Sequence, residues 1–341
     1  MVVENEVREE LASVKDILRR SNIVFYDRVE MHVQQGQFPP AQHEELQKAL
    51  SWIKIAEAVN ASYVVDTILT TLEWITNAWD AVANPVQAIK ELLSEAVNLR
   101  QRNFAVVNLH KQIMNILKNR PPGKCRNVLQ QTIERIRNER SSFLSRITEN
   151  SGDLLIESDK ILLYGFSTTV LAILESCPHK NTIQVFVCEC RNKSKKGYNE
   201  GITLAEKIRD MGFRQVFVIS DISVGHYMSK FKITKVLVGA DGIWPDGSFV
   251  STVGHKTIAI TAHSFKIPVY VFADSYKIAD VKKWTDDVRP PGDLFPDLIL
   301  LSRLDTKNIV VLNESSDKVE PEYVQFIVTD KGKFRPSDIS L

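Results

Sequence analysis

The sequence predicts an α/β protein: a helical N-terminal domain followed by a Rossmann-like domain with a mainly parallel sheet. Three observations carry that expectation. Of 14 glycines, only Gly36 and Gly123 precede residue 151, so the tight turns and close backbone approaches that strand–helix alternation needs lie in the second half. Apolar residues before residue 150 recur at helical spacing, whereas short apolar runs alternate with helical stretches from Leu154 onward. The length of 341 residues exceeds what one core normally fills, so two domains are expected, 1–150 and 151–341.

In chain order, Leu46, Ala49, Leu50, Ile53 and Ala56 form a first helical stripe. Ala61 to Trp79 is broadly apolar and predicts a buried helix through Val64, Val65, Ile68, Leu69, Leu72 and Ile75. Pro85 to Leu117 and Arg126 to Thr148 carry further amphipathic stripes, split by the breaker Pro121-Pro122-Gly123. Asn84-Pro85 marks a helix start, with proline at the first helical position. Strands are expected at Lys160–Tyr164, Ile183–Cys188, Val216–Ser220, Lys235–Gly239, Pro268–Ala273 and Ile309–Leu312. Thr168–Ser176, Gly201–Met211 and His255–Phe265 are the helices between them. Such alternation reads as a parallel sheet covered on both faces, with ligands at the carboxyl edge of its strands.

Composition narrows the function. Hydrophobic residues at 44% and charged residues at 25% exclude wholesale disorder. Lys+Arg 43 against Asp+Glu 42 leaves +1, which argues against direct nucleic-acid binding through bulk charge. No apolar run is long enough for a membrane helix. The stretch MVVENEVREELASVKDILRR is acidic and amphipathic, unlike a secretory leader. Four cysteines in so long a chain make no disulfide framework, and a cytoplasmic protein is expected. There is no GxSxG, no GxxxxGK[ST] and no GxGxxG, hence no standard phosphate loop or dinucleotide site and no expected cofactor.

Individual residues leave alternatives. Asp241 follows the run Val236-Leu237-Val238-Gly239-Ala240; at a strand's carboxyl end it serves as general acid/base, as a sugar-hydroxyl ligand, or as a carboxylate bonded to its own turn. Val253-Gly254-His255-Lys256-Thr257 opens a helix whose N–H groups suit phosphate. Cys177, His179, Cys188 and Cys190 total four potential metal ligands, but their one-residue gaps differ from the wider zinc knuckle, and no metal site is expected. Lys193-Ser194-Lys195-Lys196 is a short basic loop that suits an acidic partner or simply water. Trp52, Trp74 and Trp79 fit helical cores.

Several motifs then agree in order and spacing: Phe186-Val187-Cys188-Glu189-Cys190-Arg191, Asn199-Glu200-Gly201, Ser220–Met228, Lys235–Gly247, Ile267–Ile278, Val319–Val324 and Ile327–Gly332. Across residues 154–335 this succession resembles the family that joins the alpha, beta and delta subunits of translation initiation factor 2B to two sugar-phosphate isomerases. Those enzymes act on methylthioribose-1-phosphate and ribose-1,5-bisphosphate. The resemblance implies dimers formed mainly through the Rossmann-like domain, and in the enzymes a cysteine after the first strand paired with the aspartate of Gly-Ala-Asp. Asp241 matches that aspartate. The cysteine position falls on Gly165, or on Phe166 with a shift of one residue, and neither side chain carries a proton. Ser251-Thr252-Val253-Gly254-His255 stands where the isomerases show Asn-Lys-Ile-Gly-Thr, so the phosphate-binding lysine is a threonine. Arg191 is retained, followed by Asn192 in place of proline.

The resemblance therefore implies no catalytic residue and a regulatory subunit supporting guanine-nucleotide exchange on initiation factor 2. Its expected partners are related subunits in a homo- or hetero-oligomer and initiation factor 2 itself. Arg191 and Asp241 are the expected contacts to any sugar phosphate or nucleotide ligand. The alternative is an isomerase of either type, with Cys188 or Cys190 standing in for the thiol, or a relative that senses a sugar phosphate. The subunit type stays open: Gly165-Phe166-Ser167 suits beta, and Gly239-Ala240-Asp241 with the compact length suits alpha or archaeal relatives.

Overall fold

The computed structural model describes residues 61–80, 82, 84–99, 102–190, 199–282, 309–310 and 312–340. The stripe from Leu46, Trp52, Arg191 and the basic loop Lys193–Lys196 lie outside the described residues.

The helical part begins with α1 (Ala61–Asn77), α2 (Pro85–Leu99), α3 (Phe104–Lys118) and α4 (Pro122–Ser141). Each forms for a local reason. The six apolar positions expected in α1 are all buried, so its stripe faces the other helices. Asn84 caps α2 by accepting the Gln87 N–H at 3.1 Å, and Pro85 opens the first turn. Pro121 and Pro122 split the two stripes as expected, α3 ending at Lys118 and α4 starting with proline inside its first turn. The run Pro85 to Leu117 is two helices rather than one. Asn103 is extended (φ −84, ψ 91), and the Phe104 N–H turns to the Asp241 carbonyl at 3.1 Å. Leu69, Leu72, Leu93, Leu109, Ile113 and Ile133 are central in the shared core.

After α5 (Phe143–Ser151) come β1 (Lys160–Tyr164), α6 (Thr168–Ser176), β2 (Gln184–Cys188), α7 (Glu200–Asp210) and β3 (Gln215–Ile219). Then follow α8 (Val224–Phe231), β4 (Lys235–Gly239), β5 (Gly242–Ile243), β6 (Phe249–Thr252), α9 (His255–Ser264) and β7 (Val269–Phe272). The chain closes with β8 (Ser316–Val319), β9 (Phe326–Thr329) and β10 (Gly332–Phe334). Among the described residues the main sheet has seven strands in the order β10-β9-β7-β4-β1-β2-β3. All pairs are parallel except β10 on β9. Strand order reverses between β1 and β4, the crevice where open α/β sheets bind ligands. Here the crevice is narrow: a β-carbon on Gly239 would stand 2.6 Å from Ser167 Oγ.

Two features depart from the sequence expectation. Ile309, Val310 and Leu312 are exposed and lie outside any strand. A second sheet, β5-β6-β8, is antiparallel and packs beside the carboxyl edge of β4. Its hairpin is fixed by Gly247 at φ +80 and by the Asp246 carboxylate, which accepts the Ser248 N–H at 2.9 Å. Helix α5 shares its core with the main sheet, where Phe143 and Ile147 join Leu163 and Val185.

Candidate functional site

Four strand ends meet at the carboxyl edge of the main sheet: Tyr164 to Ser167 after β1, Cys188 to Cys190 after β2, Ser220 to Asp221 after β3, and Ala240 to Asp241 after β4. Asp241 is held at three points. Its N–H donates to the Val250 carbonyl at 2.9 Å, and its carbonyl accepts from Phe104. Its carboxylate lies 3.5 Å from Arg102 Nε, with side chains 22% and 12% exposed respectively. Arg102 also donates to Ser315 Oγ at 3.1 Å and to the Ser315 carbonyl at 3.3 Å. The carboxylate meets Arg102 while the backbone is tied to Val250 and Phe104, so Asp241 is a strut as well as a candidate ligand. Sequence reading missed Arg102. Its one signal was the polar interruption Arg100-Gln101-Arg102-Asn103 between two apolar stripes.

Gly165 has φ +77, a conformation that L side chains rarely adopt. Its N–H donates to Cys190 Sγ at 3.1 Å. The place a β-carbon would take lies 3.2 Å from Cε1 and 3.6 Å from Nε2 of His255. His255 opens α9 and is buried, with Nδ1 2.6 Å from the Thr252 carbonyl. That carbonyl accepts, so Nδ1 carries the hydrogen. The ring stands edge-on to Tyr164 at 4.8 Å. Tyr164 donates its hydroxyl to the Val253 carbonyl at 2.6 Å and fills the space in front of Gly254, whose φ is +109. Burial, with Cys190 and Asp221 close by, holds the Tyr164 phenol far above its ordinary range. The place beside Gly165 is therefore bordered by the His255 ring.

The start of α9, which the sequence offers as a phosphate receptor, is engaged from within the chain. Asp317 on β8 accepts the Gly254 N–H at 2.8 Å and the Lys256 N–H at 3.2 Å. A carboxylate at this position uses the donors and the dipole that would favour an anion. Lys256 turns away and pairs with Glu320 at 2.6 Å. The hydrogen bond from Lys256 holds Glu320 below the usual carboxylate range.

The four cysteines are free and buried, and no group of three metal-ligating side chains occurs among the described residues. Cys177 ends α6 before β2 while Cys188 ends β2, so five extended residues, about 16 Å, separate them. Burial pushes the Cys188 thiol well up, and its charged neighbours add to the shift. Cys190 sits at φ +53 and donates to the Cys188 carbonyl at 3.4 Å; Asp221 fixes its backbone by accepting its N–H at 2.9 Å. Gly201 lets α7 close against this turn, since a β-carbon there would collide with the Cys188 carbonyl. The structure thus brings Asp241, Gly165 and Cys190 to one edge, and Arg191 lies outside the described residues.

A family model described as the initiation factor 2 subunit family matches residues 51–336. A ribose 1,5-bisphosphate isomerase from Haloferax volcanii is 26% identical over 310 residues, 87% of this chain and 91% of that protein. A Pyrococcus horikoshii protein described as a putative translation initiation factor eIF-2B subunit 2-like is 27% identical over 246 residues, 72% of this chain and 80% of its own. Among solved structures, translation initiation factor eIF-2B from Pyrococcus horikoshii superimposes with TM-score 0.69 at 22% identity. That match covers 88% of this chain and 100% of the other, a likeness of fold.

Proposed function

The chain belongs to the initiation factor 2 subunit family, and on that premise we propose that it is a non-catalytic regulatory subunit resembling the alpha, beta and delta subunits of translation initiation factor 2B. In this reading it supports assembly and regulation of guanine-nucleotide exchange on initiation factor 2. One observation carries the choice of subunit over enzyme. At Gly165, which the resemblance matches to the isomerases' cysteine (Phe166 with a shift of one residue), the backbone is left-handed and His255 stands 3.2 Å from where a β-carbon would be. Proton transfer between neighbouring sugar carbons needs a group that gives and takes a proton beside the reacting bond. Neither Gly165 nor Phe166 supplies one. The engagement of the α9 N–H groups by Asp317 supports the same reading. We place the helical domain at 1–150 and the Rossmann-like domain at 151–341, with Arg191 and Asp241 as the proposed ligand contacts.

The test is incubation of the full chain with ribose-1,5-bisphosphate and methylthioribose-1-phosphate, followed by NMR. No isomerisation above a protein-free blank is expected. Turnover that disappears in Asp241→Asn overturns the proposal.

A second reading, a divergent isomerase, draws on one observation of its own: the Cys190 thiol lies 3.1 Å from the Gly165 amide. It predicts turnover that Cys190→Ser abolishes. A sensing role without turnover predicts instead that one of those sugar phosphates raises the melting temperature, because preferential binding to the native state must stabilise it.

A further inference from the structure

We propose that the amino edge of the main sheet binds single-stranded nucleic acid, at the end of the sheet away from Asp241. The proposal stands apart from the assembly reading above. Five adjacent parallel strands, β7, β4, β1, β2 and β3, all enter the sheet at this edge. Each is entered through a basic residue: Lys266, Lys232, Lys160, Lys180 and Arg214 respectively. At about 4.8 Å between strands the five entrances span roughly 19 Å.

Two of these lysines stand where glycine fits best. Helices α7, α8 and α9 end in one shared geometry, in which the amide after a left-handed residue reaches back five positions. Phe213 donates to the Ile208 carbonyl at 3.4 Å, Ile233 to Met228 at 3.2 Å and Ile267 to Ala262 at 2.9 Å. Glycine is the usual residue at that left-handed position, and α7 has Gly212 there at φ +97. Helices α8 and α9 have Lys232 at +53 and Lys266 at +57. The helix dipoles do not require these cations, because Lys230 and His263 already sit in the last turns. Strain kept at two matching turns points to a use for the side chains.

The formal charge of +1 conceals the patch. Arg214, Lys230, Lys232 and Lys266 are exposed, and none has an ion-pair partner among the described residues. The acids nearby are mostly engaged: Asp159 holds Lys235, and Asp210 meets Arg209 at 2.8 Å. Glu157 stays exposed beside β1, and Glu322 lies past the strip, ahead of β9. Glu189, Asp221, Asp241 and Asp274 stand at the opposite, carboxyl edge, so the field draws a polyanion to the amino edge. Lysines act as point charges suited to phosphate, whereas carboxylate recognition favours the arginine fork. Phe265, 44% exposed and next to Lys266, offers a base a ring face to stack on. An acidic peptide has no use for that ring.

The experiment measures the fluorescence anisotropy of labelled oligo(U) and oligo(dT), each about 12 nucleotides long, with the full chain at graded salt. Both strands are expected to bind, with log K falling against log salt at a slope of about −3, as four or five phosphate contacts require. Lys232→Gly combined with Lys266→Gly removes two charges and suits the left-handed backbone, so the fold is kept. That double variant is expected to bind about tenfold more weakly at low salt, with a slope of about −2 and a melting temperature no lower than the parent's. Phe265→Ala is expected to lose about fivefold or more at an unchanged slope. No binding of either strand at about 50 mM salt refutes the proposal. Binding that the double glycine variant leaves intact puts the strand elsewhere and refutes it too. A polyglutamate peptide that binds this edge more tightly than either strand makes it a dock for acidic protein, and also overturns the proposal.

Discussion

Replacing Gly165 by cysteine restores the thiol that the isomerases place after their first strand, and the structure assigns that substitution a definite cost. At φ +77 a side chain meets the left-handed penalty of about 1–2 kcal/mol. The new β-carbon stands 3.2 Å from His255 Cε1, and the sulfur beyond it has to displace a ring held by its Nδ1 bond to Thr252. Overpacking of that kind costs about 1–3 kcal/mol. Together the loss is roughly 2–5 kcal/mol, or a melting temperature lowered by about 5–15 °C for a domain of this size. Differential scanning fluorimetry or calorimetry measures it. The same substitution in a His255→Ala background should cost at least about 1 kcal/mol less, because the steric part is shared between the two sites. A Gly165→Cys protein within about 0.5 kcal/mol of the parent refutes the claim that the thiol's place is closed. The main support for a non-catalytic subunit then falls with it.

Phe104→Ala should destabilise by about 3–5 kcal/mol, since its ring lies fully buried under Gly242 and 4.7 Å from Trp244; the denaturant midpoint reads the loss. Asp317→Ala removes the carboxylate from the start of α9 and should cost about 0.5–2 kcal/mol, and added inorganic phosphate should recover part of the lost melting temperature. The Tyr276 phenol is pushed up to about 12 by burial and by its hydrogen bond to Glu139. The unfolded chain therefore loses that proton first, and stability falls as pH rises from about 10 to 12. Tyr276→Phe should flatten the pH dependence over that window, as followed by thermal melts.

Much of the sheet was legible from sequence because most of its strands are buried apolar runs bounded by turns, with β3 an apolar run that is half exposed. Lys160–Tyr164 and Lys235–Gly239 match their expected limits, and β2, β3 and β7 match within one residue at each end. Fully apolar runs of four or five residues have few other places to go in a covered sheet. Ile309, Val310 and Leu312 have the same composition yet lie outside the strands of the described residues, so composition misled there. The opposite error applies to Ser316–Val319, where Asp317 and Lys318 hide a strand made by pairing with β6. The break ahead of Phe104 escaped because the bond from the Phe104 N–H to the Asp241 carbonyl joins distant parts of the chain. For the same reason Asp241 could be found by motif, while its Arg102 partner and the imidazole beside Gly165 could not. Spacing reports neighbours along the chain and is silent on contacts across it.

The threefold anchoring of Asp241 makes the residue a fulcrum. Its amide is fastened to β6, its carbonyl to the head of α3, and its carboxylate to Arg102. An anion arriving at this edge competes for the same guanidinium. Drawing Arg102 away slackens its grip on Ser315 and on the joint between α2 and α3. Occupancy at the sheet would thus be converted into tilt of the helical layer, a lever through which the far side of the molecule can report what the edge has bound.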